Sequence, residues 1–177
     1  YIKIFINPEL DDSINPSPWY TFRKSKNNKK ILVELSYGEY EHRYFPKIKK
    51  TNGNWEKINE RDILVKNDGK NVLINLYPSK VSQYISSQEL ITEDWYEDWY
   101  VTLKENNFLR SKIIGYSVQN RPIKAFFSNE NINNPYIFIL GRQHPPEVSS
   151  VFAIKGFVNE LIGNINLSEE FLSKYNI

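Results

Sequence analysis

The sequence predicts a β-sandwich over residues 1–90, a connecting helix within residues 91–108, and the start of an α/β domain over residues 109–177. Short aromatic and β-branched segments separated by turn residues fill the first part. In the last part, a run of consecutive apolar residues is followed by a helical apolar stripe. A chain of 177 residues is long enough for one good-sized domain, or for a small domain and part of a second.

Five segments are predicted as the strands of an antiparallel sandwich. Each is rich in aromatic or β-branched residues, and each is bounded by Gly, Pro, Asn or Asp residues that fix a bend or tolerate positive φ. Short strands at this spacing are typical of a β-sandwich. The segments are residues 1–5, 19–23, 30–37, 40–48 and 71–77.

The connecting helix is predicted from its capping and its apolar spacing. Thr92 is a candidate N-cap and is followed by two acidic residues, which the helix dipole favours in the first turn. Trp95, Trp99 and Leu103 recur every four residues and therefore share one face. The boundary between the two units is predicted near residues 87–91.

The last part of the chain is interpreted as two strands, a central strand and a helix. Residues 111–118 and 123–128 are predicted as the two strands. The apolar run Tyr136–Leu140 is predicted as a central strand buried on both faces. Apolar residues at three- and four-residue spacing predict a helix over residues 148–162, with Gly163 as its C-cap.

Composition limits the classes of partner. Lys and Arg number 23 against 21 Asp and Glu, and the two signs are interspersed, so the chain lacks a nucleic-acid footprint. No apolar run approaches the roughly 18 to 20 residues that span a bilayer, and no membrane association is expected. Since the chain contains no cysteine, any metal site must use His, Asp or Glu.

Both ends of the sequence suggest a piece of a longer protein. The chain begins at Tyr1 and contains no methionine, which favours a processed start and weakly favours an exported protein over a cytoplasmic one. The last residues, LSEEFLSKYNI, are predicted to continue a helical pattern up to Ile177 without a stop signal. We therefore expect a domain that is cut short.

His144 and Glu147 are the candidate metal ligands. They follow the predicted central strand, and ligands of open α/β sheets gather beyond the carboxyl ends of the strands. Pro145 and Pro146 are expected to hold the loop extended and to place Glu147 near the first helical turn. Imidazole and carboxylate suit zinc, which uses three protein ligands and a water in catalytic sites. A helix-terminal carboxylate beside a histidine, without metal, is the alternative.

The segments IGYSVQNRPIKAFF and YIFILGRQHPPEVSSVFAIKGFVNELI resemble the zinc carboxypeptidase family, in its cytosolic-carboxypeptidase-like branch. That branch carries a β-sandwich ahead of the catalytic domain, to which INPSPWYTFR and YEHRYFPKI are similar. The resemblance covers nearly the whole chain. It implies that His144 and Glu147 are two of three ligands of a Zn²⁺ cofactor, and that the partner is a peptide or protein C-terminus.

Several family features match no position of this sequence. The third ligand, the general-base glutamate and the Asn-Arg pair for the substrate carboxylate are expected beyond Ile177, so no catalytic residue is assigned. Pro146 replaces the arginine of pancreatic-type members, which favours the cytosolic-type branch. Arg142 is the candidate substrate-binding residue, with an ion pair to a neighbouring acid as the alternative. His42 is predicted as a half-exposed strand residue and is not assigned to the metal.

The sequence therefore predicts part of a zinc-dependent metallocarboxypeptidase that hydrolyses C-terminal peptide bonds, and this chain alone is expected to be inactive. One alternative is a non-catalytic protein- or glycan-binding β-sandwich module with a degenerate peptidase remnant. Another is a related amidohydrolase acting on non-peptide amides, against which the leading sandwich argues. Five aromatic residues could stack on a glycan, although a core shared between strands is the commoner use: Trp19, Tyr20, Tyr40, Tyr44 and Trp55.

Overall fold

The computed structural model describes residues 1–8, 18–51, 53–106, 108–128, 131–144 and 146–177. The chain divides into two compact units, Tyr1–Leu90 and Ile91–Ile177. The first contains β1 (Ile2–Phe5), β2 (Thr21–Lys24), β3 (Ile31–Ser36), β4 (Lys47–Lys50), β5 (Trp55–Lys57), β6 (Ile63–Lys66), β7 (Asn71–Leu76) and β8 (Gln83–Ser86). The second contains α1 (Glu93–Lys104), β9 (Leu109–Tyr116), β10 (Pro122–Ser128), α2 (Val148–Gly163) and α3 (Ile165–Lys174).

The first unit has two four-stranded sheets and one apolar core. The strand orders are β1-β3-β7-β6 and β2-β8-β4-β5. Alternate residues of β3 and β7 point to the same side, and residues of the second sheet join them in one buried cluster. The buried strand residues of this core are Val33, Leu35, Val72, Ile74, Leu76 and Ile85.

The prediction of a wholly antiparallel sandwich is wrong at one edge. Strand β1 pairs with β3 in parallel, with Ile2 opposite Val33. The chain passes between them through β2, which belongs to the other sheet. Parallel neighbours need such a crossover, because a short hairpin joins only antiparallel strands.

The strand predicted over residues 40–48 is also largely wrong, since β4 begins at Lys47. The preceding backbone is tied to a turn. The Tyr37 N–H donates to Lys70 O at 2.9 Å, and the His42 N–H donates to Gly69 O at 2.8 Å. Gly69 has a φ of 90°, a conformation that favours glycine. The His42 bond to Gly69 O satisfies a backbone group that a strand would have offered to a neighbouring strand.

In the second unit, helix α1 begins as predicted. The Thr92 side chain accepts a hydrogen bond from the Trp95 N–H, and Trp99 and Leu103 are buried. The apolar face of α1 packs in one cluster with residues of β9 and α2. Strands β9 and β10 pair in antiparallel fashion. Helix α2 ends at Gly163, and Asn164, not Gly163, is its C-cap. No helix in the described ranges is long and apolar enough to cross a membrane.

The predicted buried central strand, Tyr136–Leu140, is wrong: Phe138 and Leu140 are 84% and 75% exposed. Outside the named strands, this segment makes a single parallel bridge, between Tyr136 and Asn176. Burial on both faces needs covering layers and neighbouring strands. Within the described part of the chain, the segment has only the short C-terminal stretch as a bridged neighbour.

The helical pattern predicted up to Ile177 ends earlier, at Lys174. Tyr175 is extended, with φ −137° and ψ 146°. The Asn176 N–H donates to Pro135 O at 2.9 Å and the Ile137 N–H donates to Asn176 O at 2.8 Å. The Tyr175 N–H still donates to Phe171 O at 3.0 Å, and pairing with the neighbouring segment begins at Asn176.

Candidate metal site

The loop that carries His144 and Glu147 ends at the start of α2. Glu147 is the N-cap residue of that helix, as the sequence predicted. The loop is turned, however, and not extended: the Glu147 N–H donates to His144 O at 3.1 Å, and the Val148 N–H donates to Pro146 O at 2.9 Å. Pro145 lies outside the described residues. The turn brings residues three apart in sequence close together in space.

The side chains of His144 and Glu147 meet. The distance from His144 Nδ1 to Glu147 Oε1 is 2.7 Å, and the two side chains are 51% and 45% exposed. An imidazole nitrogen and a carboxylate oxygen are both zinc ligands. At 2.7 Å the contact is a hydrogen bond that the His144 Nδ1–H donates to the carboxylate, which is the metal-free alternative. The residue types fit a zinc ion, which would replace this proton between the two atoms.

A small apolar cluster supports the first turn of α2. Val148 and Val151 are buried with Ile91 in one cluster, against which Trp95 and Tyr96 pack. Val148 directly follows Glu147, so the ligand-bearing end of the helix is anchored against the N-terminal part of α1 by packed side chains.

Arg142 fixes the other end of the loop. It has a φ of 51°, which is uncommon for a residue with a side chain. Its guanidinium Nη1 donates to Ile91 O at 2.9 Å, and its Cζ lies 6.0 Å from the centre of the Tyr96 ring. Arg142 thus ties the loop to the start of α1. Its predicted contact with a substrate stays a prediction.

Ser150 connects the two ends of this loop and was not singled out in the sequence. Its hydroxyl accepts from the Arg142 N–H at 2.8 Å and donates to Glu147 O at 2.9 Å. The available signal was its position in the first turn of the predicted helix, three residues after Glu147, where serine often bonds to nearby backbone.

No third ligand joins the pair among the residues that the structure describes. The described residues contain no group of three or more His, Cys, Asp and Glu side chains that could hold a metal ion. His42 lies in the first unit, where it is half-buried, and its Nδ1 is 2.9 Å from the Tyr37 hydroxyl. Burial lowers the pKa of His42 below its ordinary value. It belongs to the turn before β4, not to the predicted strand.

The aromatic residues of the first unit lie partly in its core. Tyr20 is 6% exposed, and Tyr40 packs against the same cluster. Trp55 is partly exposed, and Lys49 Nζ lies 6.0 Å from the centre of its ring. Tyr20 and Tyr40 therefore serve packing, as the sequence suggested, and are not free to form a flat platform for a sugar.

Comparison with known proteins gives structural matches only. No protein-family model matches the sequence, and no curated protein matches it. A metallo-carboxypeptidase from Burkholderia cenocepacia is 17% identical, with a TM-score of 0.73 over 89% of this chain and 44% of that one. A candidate carboxypeptidase A from Shewanella denitrificans is 16% identical, with a TM-score of 0.80 over 98% and 47%.

A third structure is a metallo-carboxypeptidase from Pseudomonas aeruginosa in complex with (2-guanidinoethylmercapto)succinic acid. It is 15% identical, with a TM-score of 0.79 over 98% of this chain and 47% of that one. The chain thus spans less than half the length of these solved structures. Over nearly all its residues, the chain has the fold of the corresponding part of bacterial metallo-carboxypeptidases, and the resemblance seen in the sequence is confirmed at the level of the fold.

Proposed function

We propose that the chain is part of a zinc-dependent metallocarboxypeptidase in which His144 and Glu147 hold the metal. The observation that carries this proposal is the placement of an imidazole and a carboxylate side by side on a half-exposed loop at the start of α2. The shared fold with metallo-carboxypeptidases supports it. When bound in such a site, zinc lowers the pKa of a coordinated water to about 7 and polarises a substrate carbonyl.

The residues of this chain would contribute binding and orientation. Glu147 offers a carboxylate at the N-terminus of α2, where the helix dipole stabilises negative charge. His144 must present an unprotonated ring nitrogen to act as a ligand. Its Nδ1 donates to the Glu147 carboxylate in the structure, so ligation through this atom would require the ring proton to move to Nε2. The loop turn holds both donors at one end of the helix.

The proposed substrate is the C-terminus of a peptide or protein. The Pseudomonas aeruginosa relative binds a succinic acid derivative, which is a dicarboxylate. Arg142 is the candidate in this chain for contact with a substrate carboxylate. Its guanidinium Nη1 donates to Ile91 O at 2.9 Å in the structure.

The test is peptidase activity in a protein of the relatives' full length that contains this chain. We expect release of C-terminal residues from peptides, abolished by a zinc chelator and by His144→Ala, and unchanged by Ser149→Ala on the same loop-helix junction. The 177-residue chain alone should release none.

Release that survives His144→Ala would contradict the proposal. A full-length protein that neither binds zinc nor cleaves peptides would favour the non-catalytic binding module instead.

A further inference from the structure

We infer that Ser150 is a positioning residue for the His144–Glu147 pair, and this inference rests on the proposed metal-binding function. The Ser150 hydroxyl bonds to both ends of the ligand loop. It accepts from the Arg142 N–H, two residues before His144, at 2.8 Å. It donates to Glu147 O, the carbonyl of the second ligand, at 2.9 Å. One side chain on α2 thereby fixes the span that carries both donors.

The backbone conformation at Arg142 shows why this bond matters. Arg142 has a φ of 51°, in the left-handed region that residues with side chains rarely adopt. Such a conformation persists when surrounding contacts hold it. The bond from its N–H to Ser150 Oγ is one such contact, and the bond from its guanidinium to Ile91 O is another. Without the first, the chain direction into His144 would be less well defined.

The close approach of the loop to α2 supports the same inference independently. A Cβ on Gly141 would lie 2.5 Å from Ile154 Cδ1 and 3.2 Å from both Ser150 Cβ and Ser150 Oγ. The loop backbone therefore passes directly over Ser150, at a distance that only glycine permits without a shift of its neighbours. The close packing of Gly141 and the hydrogen bond from Arg142 thus hold the loop at the same residue of α2, Ser150.

The hydroxyl group uses both its hydrogen-bonding capacities here. Its single hydrogen goes to Glu147 O, and a lone pair receives the Arg142 N–H. An alanine at position 150 removes both bonds and leaves the fold of α2 in place, since alanine favours helices. Residues that orient metal ligands typically change metal affinity by about 10- to 100-fold when they are replaced.

The experiment is a Zn²⁺ titration of the chain followed by the NMR signals of the His144 ring. His42, the only other histidine, lies in the first unit and serves as an internal reference. We expect Ser150→Ala to weaken zinc binding at His144 by about tenfold or more. Ser150→Thr, which keeps the hydroxyl, should stay within about threefold of wild type. Ser149→Ala, an identical change at the exposed neighbouring serine, should have no effect.

Three results would overturn the inference: equal zinc affinity in Ser150→Ala and wild type, an equal loss in Ser149→Ala, or a loss in Ser150→Thr as large as in Ser150→Ala. No zinc response at His144 in a protein of the relatives' full length would instead refute the proposed function. In that case, amide hydrogen exchange at Arg142 tests the hydrogen bond from the Arg142 N–H to Ser150 Oγ. Exchange should be about tenfold faster in Ser150→Ala than in Ser149→Ala, and equal rates would overturn the inference.

Discussion

Strands β3, β7 and β8 of the first unit and the apolar segment 136–140 of the second differ in burial. In the first, Leu35, Val72, Ile74 and Ile85 are 0% exposed, because two sheets contribute to one core. In the second, Phe138 is 84% exposed, although it lies in the apolar run that was predicted to be a buried central strand. Strands with alternating apolar residues thus form sheets that bury these residues within the described chain. The run of consecutive apolar residues predicts burial on both faces, and the described chain does not provide it.

This difference explains how the candidate site is held. The segment before the loop makes a single bridge among the residues that the structure describes, so a sheet ladder does little to fix His144. Contacts with helices take that role: Ser150 with the backbone at Arg142 and Glu147, and the Arg142 guanidinium with Ile91 O. The site is therefore built mainly on the first turns of α1 and α2.

The largest expected effect comes from removing a closed-core residue. Leu35→Ala leaves a cavity between two packed sheets, since Leu35 is 0% exposed. We expect the free energy of unfolding of the first unit to fall by about 2–5 kcal/mol. Urea unfolding followed by the NMR signals of that unit measures it. A loss below about 1 kcal/mol would mean that the core is less tightly packed than described.

A smaller effect is expected at the start of α1. Thr92→Ala removes the acceptor of the Trp95 N–H, which is bonded to Thr92 Oγ1 at 3.3 Å. The second unit should lose about 1 kcal/mol, whereas Thr92→Ser should lose little because serine caps equally well. Urea unfolding followed by the NMR signals of α1 gives the comparison. Equal losses in both variants would show that the cap hydroxyl is not the stabilising group.

The pH dependence of the first unit should include a contribution from His42. Burial lowers the pKa of this imidazole in the folded state, so the unfolded chain binds the proton more readily. The free energy of unfolding must then fall as pH drops below about 6.5, the ordinary histidine pKa. His42→Gln should reduce that fall, as measured by urea unfolding between neutral and mildly acidic pH. Parallel curves for the two proteins would contradict the assignment.

The smallest effect is expected in the exposed run. Phe138→Ala should change the free energy of unfolding by no more than about 0.5 kcal/mol, because the ring is 84% exposed. Urea unfolding of wild type and variant at several protein concentrations checks this. A loss above about 2 kcal/mol would show that the run is covered in solution, and would remove the contrast between the two units.

Local patterns explain which parts of the fold the sequence could predict. Strands β3 and β7 were identified because alternation is visible in a single segment, and α1 because its cap and its four-residue spacing are local. Strands β5, β6 and β8 lie outside the five predicted segments, since each has only three or four residues and depends on its partners. The parallel pairing of β1 with β3 depends on the path through the other sheet, which no segment shows.

The site divides in the same way. The position of Glu147 at a helix start followed from the apolar stripe of α2. The turn in the loop and the role of Ser150 did not, because they depend on a left-handed Arg142 and on bonds between a side chain and distant backbone. Such contacts leave little periodic signal in a sequence.

The most direct test of the metal site is a Zn²⁺ titration of a protein of the relatives' full length that contains this chain, comparing wild type with Glu147→Gln, which keeps the shape of the side chain and removes its charge. If His144 and Glu147 bind one ion, the His144 ring signals shift and saturate in wild type. The variant should then need about tenfold more zinc, and His42 should not respond in either protein. Equal zinc dependence in wild type and variant, or no shift at His144, would contradict a shared metal site.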